Sequence, residues 1–128
     1  MTSELMSLTW VTALTAFMWI PYILNLISVR GVMDAVGYPE NPPPMAAWAE
    51  RMKAAHYNAV ENLVIFAALV LIADASGISN ATTVLACEIY FWARLLHYLM
   101  YTFAVPWGRT LAFTVAWACQ IAMLLQLI

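Results

Sequence analysis

Four long apolar runs, separated by three polar connections, constrain this chain more than any other feature of its sequence. They are Leu5–Val29, Ala54–Ala73, Ala75–Val105 and Thr110–Ile128. About 20 helical residues cross a hydrocarbon core of about 30 Å, and each run has about that length or more. The runs are continuous rather than alternating at every second residue, and a segment in lipid must pair its own backbone groups. They therefore predict membrane-spanning helices and not strands.

The composition agrees with this class. Apolar residues make up 65% of the 128 residues and charged residues only 9%, which is unusual for a soluble domain. Five scattered Lys and Arg and a formal net charge of -2 provide no basic patch, so we expect no nucleic-acid partner. The sequence predicts an all-α membrane protein with one domain over residues 1–128. Its four transmembrane helices, about 5–29, 50–74, 79–104 and 108–128, would form a left-handed-type bundle.

The basic residues predict the direction of the helices. No Lys or Arg precedes the first run, so we expect no cleavable signal peptide. The second connection and both termini also lack Lys and Arg. Cytoplasmic loops carry an excess of these residues, so the first loop, about 30–48, and the third loop are predicted to be cytoplasmic, with both termini on the opposite side. The residues on which this rests are Arg30, Arg51, Lys53 and Arg109.

Several residues predict local structure or packing. Pro21 predicts a kink in the first span, and the prolines at 42–44 predict an extended path for the first loop. Gly77 is suited to end one helix, and Ser79 or Asn80 to cap the next. The remaining polar or small residues inside the runs are interpreted as packing groups between helices or in the core. They are Thr12, Thr15, Asn25, Cys87, Cys119 and Gln120.

The second and third runs carry ionisable side chains where lipid is expected. Helical residues three and four apart share a face, so Asn58 and Glu61 line one stripe of the second span. Asn58 lies about 13 Å from the predicted cytoplasmic start of its helix, and Glu61 lies three residues further in. Arg94 lies about 18 Å from Pro106, so Glu61 and Arg94 reach similar depths. On the third span the polar row comprises Tyr90, Arg94, His97, Tyr98 and Tyr101.

An arginine at mid-bilayer costs about 2.5–3.5 kcal/mol, so Arg94 should face protein or water and find a carboxylate. Glu61, on the same chain or a neighbouring one, is the predicted partner. If the set served only adhesion, each hydrogen bond would give about 0.6–2 kcal/mol and a neutral side chain would suffice. The charged pair instead predicts a polar ligand cavity. Glu88 lies about 120° around the helix from Arg94 and is interpreted as a group that pairs across a subunit interface.

The segments ERMKAAHYNAVEN, ARLLHYLMY and PWGRT resemble the MAPEG family, the membrane-associated proteins in eicosanoid and glutathione metabolism, in a short bacterial-type form. The Asn-x-x-Glu motif of that family maps onto Asn58 and Glu61. Its Arg-x-x-(His or Tyr)-x-x-x-Tyr motif maps onto Arg94, His97 and Tyr101. The resemblance covers nearly the whole chain.

This resemblance implies a homotrimer in membrane lipid, with sites between subunits that bind glutathione as a co-substrate and no metal. The implied activity is a transferase or peroxidase that acts on lipophilic electrophiles. Arg109 would hold the glutathione thiol as a thiolate, because a nearby cation favours the charged sulfur, and Tyr101 would assist. The implied glutathione-binding residues are Arg30, Asn58, Glu61, Arg94, His97 and Tyr98.

Two positions depart from the family pattern. Ala54 stands where glutathione-using members carry an arginine, while Arg51 and Lys53 are nearby but are placed on other faces of the helix. Phe113 stands where some eicosanoid enzymes carry a tyrosine. Because the family also includes members without catalysis, a lipid-binding or scaffold protein is the alternative function. A third hypothesis is a proton pathway along Glu61, Arg94 and His97.

Overall fold

The structure is a computed structural model that describes residues 1–128, and every regular element in it is a helix, as predicted. Three stretches are long and apolar enough to cross a membrane: Ser3–Arg30, Ala47–Ala75 and Gly108–Leu127. The six helices are α1 (Ser3–Phe17), α2 (Trp19–Arg30), α3 (Val32–Val36), α4 (Ala47–Ala75), α5 (Ala81–Thr102) and α6 (Gly108–Leu127).

The first long stretch is broken at Met18, which separates α1 from α2. Pro21 has no backbone N–H and cannot donate to the carbonyl of Phe17, so the helical ladder is interrupted there. The amide of Met18 instead donates to the carbonyl of Thr15 at 3.4 Å. The interruption lies in the turn that precedes the proline, and the kink expected from Pro21 stays a prediction.

Two contacts fix α1 alongside α5. Near the start of both helices, the Glu4 carboxylate accepts hydrogen bonds from the hydroxyls of Ser79, at 2.8 Å, and Thr83. Several turns further along, the Tyr98 hydroxyl donates to the carbonyl of Met18 at 3.0 Å. The two helices are therefore parallel and in register over their length. No sequence pattern predicted this role for Glu4, which is only 3% exposed although it lies close to the chain terminus.

The connections follow the turn chemistry of the sequence in most places. Asn80 caps α5, since its Oδ1 accepts the amides of Thr82 and Thr83, and Gly77 adopts φ 69° after α4. The prolines at 42–44 lie outside any helix, as predicted, although the short helix α3 in the same loop was not predicted. The loop is held at its ends, because Arg30 Nε donates to the Pro43 carbonyl at 2.8 Å.

The predicted packing groups divide into four kinds. Gln120 bonds across to α4, where its Nε2 donates to the Asn62 carbonyl at 3.2 Å, which confirms an interhelical role. Cys87 and Cys119 are free and buried, also as predicted. Asn25 was interpreted as a helix-packing group, and its Oδ1 instead accepts the amide of Ala46 at the end of the loop. Helix-packing hydroxyls were also expected at Thr12 and Thr15, and these bond to carbonyls of their own helix.

Buried apolar side chains form two clusters, one toward each end of the bundle. The first lies toward the end that holds Glu4 and the α4–α5 turn, and includes the stacked rings of Phe66 and Tyr90, whose centroids are 3.8 Å apart. The second lies toward the α5–α6 turn and includes Met18, Met52 and Tyr98. A thin polar layer on α4 and α5 separates the two clusters.

The carboxylate of Glu4 leads to a stability prediction. In Glu4→Ala the hydroxyls of Ser79 and Thr83 lose their shared acceptor, so we expect a loss of about 1–3 kcal/mol in unfolding free energy. Glu4→Gln keeps one acceptor oxygen and should recover part of that loss. Thermal unfolding of the purified protein in detergent measures both, with the exposed loop variant Glu40→Ala as control. A melting temperature for Glu4→Ala equal to that of Glu40→Ala contradicts the role of this carboxylate.

Candidate functional site

The polar layer is centred on Arg94, whose side chain is only 2% exposed. Its Nη2 donates to Asn58 Oδ1 at 2.7 Å, a bond that joins α5 to α4. The two residues therefore lie at the same depth. The arginine is one of the largest fully buried side chains of the protein.

Asn58 is held by a chain of amide hydrogen bonds that links α4 to α6. Asn62 Nδ2 donates to the backbone carbonyl of Asn58 at 2.9 Å and to its Oδ1 at 3.2 Å. Gln120 on α6 then donates to the backbone carbonyl of Asn62. These bonds fix the Asn58 amide with its oxygen toward the guanidinium, so the arginine meets a preorganised acceptor.

Much of the polar capacity of this layer is unused. Four buried atoms on α5 have no hydrogen-bond partner: Arg94 Nε, Arg94 Nη1, Tyr90 Oη and His97 Nδ1. A buried donor without a partner costs about 1–3 kcal/mol, and more when it carries charge. An arrangement of this kind is expected where a ligand, ordered water or a second subunit supplies the acceptors.

Glu61 does not pair with Arg94 within the chain. Its side chain is exposed, whereas the guanidinium bonds to Asn58 and leaves Nε and Nη1 unpaired. The reason is helical rotation, because a step of three residues falls about 60° short of a full turn and carries Glu61 away from the face that Asn58 turns to α5. The same-chain alternative is therefore wrong, and a pair with a neighbouring chain stays a prediction.

The exposed face of α4 continues far beyond Glu61. Tyr57 precedes it on this face at helical spacing, Val64, Ala68 and Leu71 follow it, and all are exposed. The carboxylate thus interrupts a largely apolar surface on the longest helix of the protein. Ala54, at the position where the resemblance implied an arginine, lies on this exposed face.

The remaining polar residues of α5 point to different neighbours. His97 is buried, with its ring edge-on to Tyr101 at 5.7 Å between centroids and tilted against Phe113 at 6.3 Å. The hydroxyl of Tyr98 is already engaged by the Met18 carbonyl. Tyr101 is half-buried, and its ring lies 4.3 Å from the guanidinium carbon of Arg109, a cation–π contact that positions this arginine.

A cavity of about 330 Å³ opens beside this contact, at the α5–α6 turn. Tyr101, Arg109 and Arg51 line it together with the turn residues 104–107, and no carboxylate is among the lining residues. Arg51 is fixed there by a bond of 3.0 Å from its Nε to the Thr102 carbonyl. Two guanidinium groups without a carboxylate form a site suited to carboxylates or other anions.

Sequence reasoning placed Arg51 on another face than the site and so left it out. The available signal was its spacing from Ala54, because residues three apart on a helix are neighbours on the surface. Arg30, predicted from its location alone, holds the first loop through Pro43 and is not among the residues that line this cavity. His56 was not assigned a role, and its Nδ1 lies 2.7 Å from the Tyr22 hydroxyl.

Comparison with known proteins gives one family and a set of distant relatives. The model of the MAPEG family matches residues 8–128. Microsomal glutathione S-transferase 1 of Bos taurus is 31% identical over 80 residues, which is 62% of this chain and 52% of that protein. With the same coverage, the proteins of that name from Homo sapiens and Rattus norvegicus are 30% and 32% identical. The chain thus spans about half the length of these curated relatives. No solved structure matches it.

The Asn58–Arg94 bond leads to a second stability prediction. Asn58→Leu leaves the whole guanidinium unpaired, and a hydrogen bond to a charged group is worth about 1.5–3 kcal/mol, so we expect a loss of that order. Asn58→Asp supplies a charged acceptor and should be more stable than Asn58→Leu. Thermal unfolding in detergent provides the measurement, and Thr114→Val is the control because that exposed hydroxyl bonds only within its own helix. Equal melting temperatures for Asn58→Leu and the control would rule the bond out as a stabilising contact.

Proposed function

The chain belongs to the MAPEG family, and from that premise we propose that it is a glutathione-dependent transferase or peroxidase that acts on lipophilic electrophiles. The named relatives are glutathione S-transferases, which supports this class of activity. The observation that carries the proposal is the buried guanidinium of Arg94, which has one neutral partner and two unpaired nitrogens.

Glutathione matches the unused groups of the polar layer. It is an anionic tripeptide with two carboxylates and two amide carbonyls, so it offers acceptors to Arg94 Nε and Nη1 and to a donor on His97. Its amino group requires a carboxylate, and Glu61 of a neighbouring subunit is the group that we assign to it. Arg94, Asn58 and His97 would then bind the tripeptide from one subunit.

The thiol needs a cation close to its sulfur to ionise near neutral pH. Arg109 fits this task, because its contact with the Tyr101 ring fixes the guanidinium at the rim of the cavity. The thiolate would attack an electrophilic carbon and form the S–C bond. In a displacement, the leaving group departs with the electron pair of the broken bond. In an addition, the electron pair moves to the neighbouring carbon, which then takes up a proton. An apolar electrophile reaches this depth through the bilayer.

Arg51 compensates for the alanine at position 54 in this proposal. It places a guanidinium in the same cavity as Arg109, one helical turn from Ala54, and its Nε bond to Thr102 holds it there. A carboxylate of glutathione would bind Arg51 by charge-assisted hydrogen bonds, while Arg109 stays close to the sulfur. The positive charge that is absent at position 54 is thereby supplied by a residue of the preceding turn.

The topology belongs to the same proposal. We infer four spans, with the stretch Ser3–Arg30 counted as one and α5 as the span that carries the polar row. The long exposed face of α4 supports a homotrimer in which this face, including Glu61, meets neighbouring subunits. The basic residues at the α5–α6 turn and at the start of α4 favour a cytoplasmic location for that end. In this orientation the proposed glutathione cavity would face the cytoplasm, where glutathione is abundant.

A lipid-binding or scaffold protein is the second candidate. One observation favours it: a groove of about 350 Å³ between α5 and α6 is lined almost wholly by apolar side chains, among them Leu96, Leu111 and Val115. An acyl chain fits such a surface without any chemistry. In this case the polar layer would serve only to hold subunits together, and the protein would bind no tripeptide.

Glutathione titration separates the two candidates. Binding to the folded state stabilises by about 2.7 kcal/mol at a hundredfold excess over Kd, so the melting temperature of the purified protein should rise with glutathione. Ultraviolet absorbance of the thiolate should appear in the same titration. The tripeptide with alanine in place of cysteine is the control, and it should stabilise without the thiolate signal. No thermal shift at millimolar glutathione contradicts the proposal and favours the second candidate.

Substitutions of Arg51 and Arg109 should change different properties, the first the affinity for glutathione and the second the ionisation of its thiol. Arg51→Leu removes one carboxylate contact, so the Kd for glutathione should rise about tenfold, which corresponds to about 1.4 kcal/mol. Arg51→Lys keeps the charge and should restore part of the affinity. Arg109→Leu should abolish the thiolate absorbance while glutathione still raises the melting temperature. If Arg51→Leu binds as tightly as the unmodified protein, the compensation by Arg51 is wrong, although the activity itself is not.

A further inference from the structure

Glu88 lies outside the glutathione site and has no assigned partner. It is exposed on α5, about 10 Å along the helix from Ala81 and away from the buried layer of Arg94. It opens into a cavity of about 470 Å³ between α1 and α5. Three aromatic side chains, Trp10, Phe91 and Trp92, line this cavity together with the carboxylate.

The aromatic side chains leave their surfaces available to another molecule. Trp10 is 60% exposed and Trp92 is 62% exposed. The rings of Phe91 and Trp92 are nearly perpendicular, at 79°, with centroids 5.2 Å apart, and so provide two differently oriented walls. A carboxylate beside several indole and phenyl rings is the arrangement that recognises organic cations, because the ring faces are electron-rich.

No basic residue of the chain can meet Glu88. Of the five Lys and Arg, four lie toward the opposite end of the bundle, at the α2–α4 loop, the start of α4 and the start of α6. The fifth is Arg94, which is buried and bonded to Asn58. In a rotationally symmetric assembly about the membrane normal, every copy presents the same residue at the same depth, so a neighbouring copy adds no cation at this level. This step rests on the proposed trimer.

The neighbouring-subunit interpretation of Glu88 therefore lacks a cationic partner. An unpaired charge in lipid costs about 2.5–3.5 kcal/mol, so a carboxylate in this position favours a cation from outside the chain. The exposed indoles beside it favour the same kind of ligand, because their ring faces attract cations. A zwitterionic lipid headgroup fits poorly, because its anionic phosphate would lie beside the carboxylate. Headgroups also lie at the membrane surface and not within the bilayer.

We propose that Glu88, with Trp10, Phe91 and Trp92, forms a binding site for a lipophilic organic cation that reaches it from the bilayer. The carboxylate supplies the counter-charge, and the rings supply dispersion and cation–π contacts. The apolar surface of the cavity accepts the hydrophobic body of the ligand. The site lies between α1 and α5 and is separate from the one in which glutathione is proposed to bind.

Tetraphenylphosphonium is a suitable probe, because it is a permanent cation with an apolar surface. The full-length protein in phosphatidylcholine nanodiscs should bind one probe per subunit, seen as saturable quenching of tryptophan fluorescence and by equilibrium dialysis. Glu88→Gln should weaken binding at least tenfold, and Trp92→Leu should weaken it as well. The controls are Asp74→Asn, another exposed acid, and Trp117→Leu, an exposed indole on α6, and neither should change the affinity.

Four results overturn the proposal. The first is that both single variants, Glu88→Gln and Trp92→Leu, bind tetraphenylphosphonium with unchanged affinity. The second is equal binding of the neutral analogue tetraphenylsilane, which would mean an apolar groove only. The third is dissociation of the Glu88→Gln protein into monomers, which would return Glu88 to a subunit interface. The fourth is absence of binding in phosphatidylcholine with recovery in nanodiscs free of choline lipid, which would assign the cavity to a headgroup. Failure of glutathione binding leaves all of these measurements unaffected, so the two proposals fail separately.

Discussion

The structure depends on one bond between a charged and a neutral side chain, from Arg94 Nη2 to Asn58 Oδ1. It links α5 to α4 at the depth where two apolar clusters meet, and it places a full positive charge where the surroundings solvate it poorly. The amide oxygen of Asn58 accepts a hydrogen bond from only one of the three guanidinium nitrogens. The remaining nitrogens, Nε and Nη1, have no partner, and they are the groups to which we propose that glutathione binds.

The polar residues fall into two groups, those that bond to a partner on another helix and those that keep unpaired atoms or face outward. Glu4, Tyr98 and Gln120 each have a partner on another helix and serve to align the bundle. Arg94 and His97 keep unpaired atoms, and Glu61 and Glu88 face outward. Residues of the first kind determine the register of the helices. Those of the second kind are where another molecule can be recognised.

Sequence predicts the elements of this fold well and their mutual orientation less well. Helix formation in the apolar runs, the cap at Asn80 and the break near Pro21 depend on local rules and are found in the structure, in which three stretches are long and apolar enough to cross a membrane. The pairing of Arg94 with Asn58 rather than Glu61 depends on how α4 is rotated against α5, which spacing alone does not determine. Arg51 was missed for the same reason, because its role depends on the position of the α5–α6 turn.

The interruption at Met18 determines which neighbours hold each half of the first long helical stretch. Glu4 bonds α1 to Thr83 of α5, and the Tyr98 hydroxyl bonds to the carbonyl of Met18. Beyond Met18, the Tyr22 hydroxyl lies 2.7 Å from His56 Nδ1, so a side-chain contact from α2 goes to α4. The two halves of one apolar run are thus fastened by polar contacts to different helices.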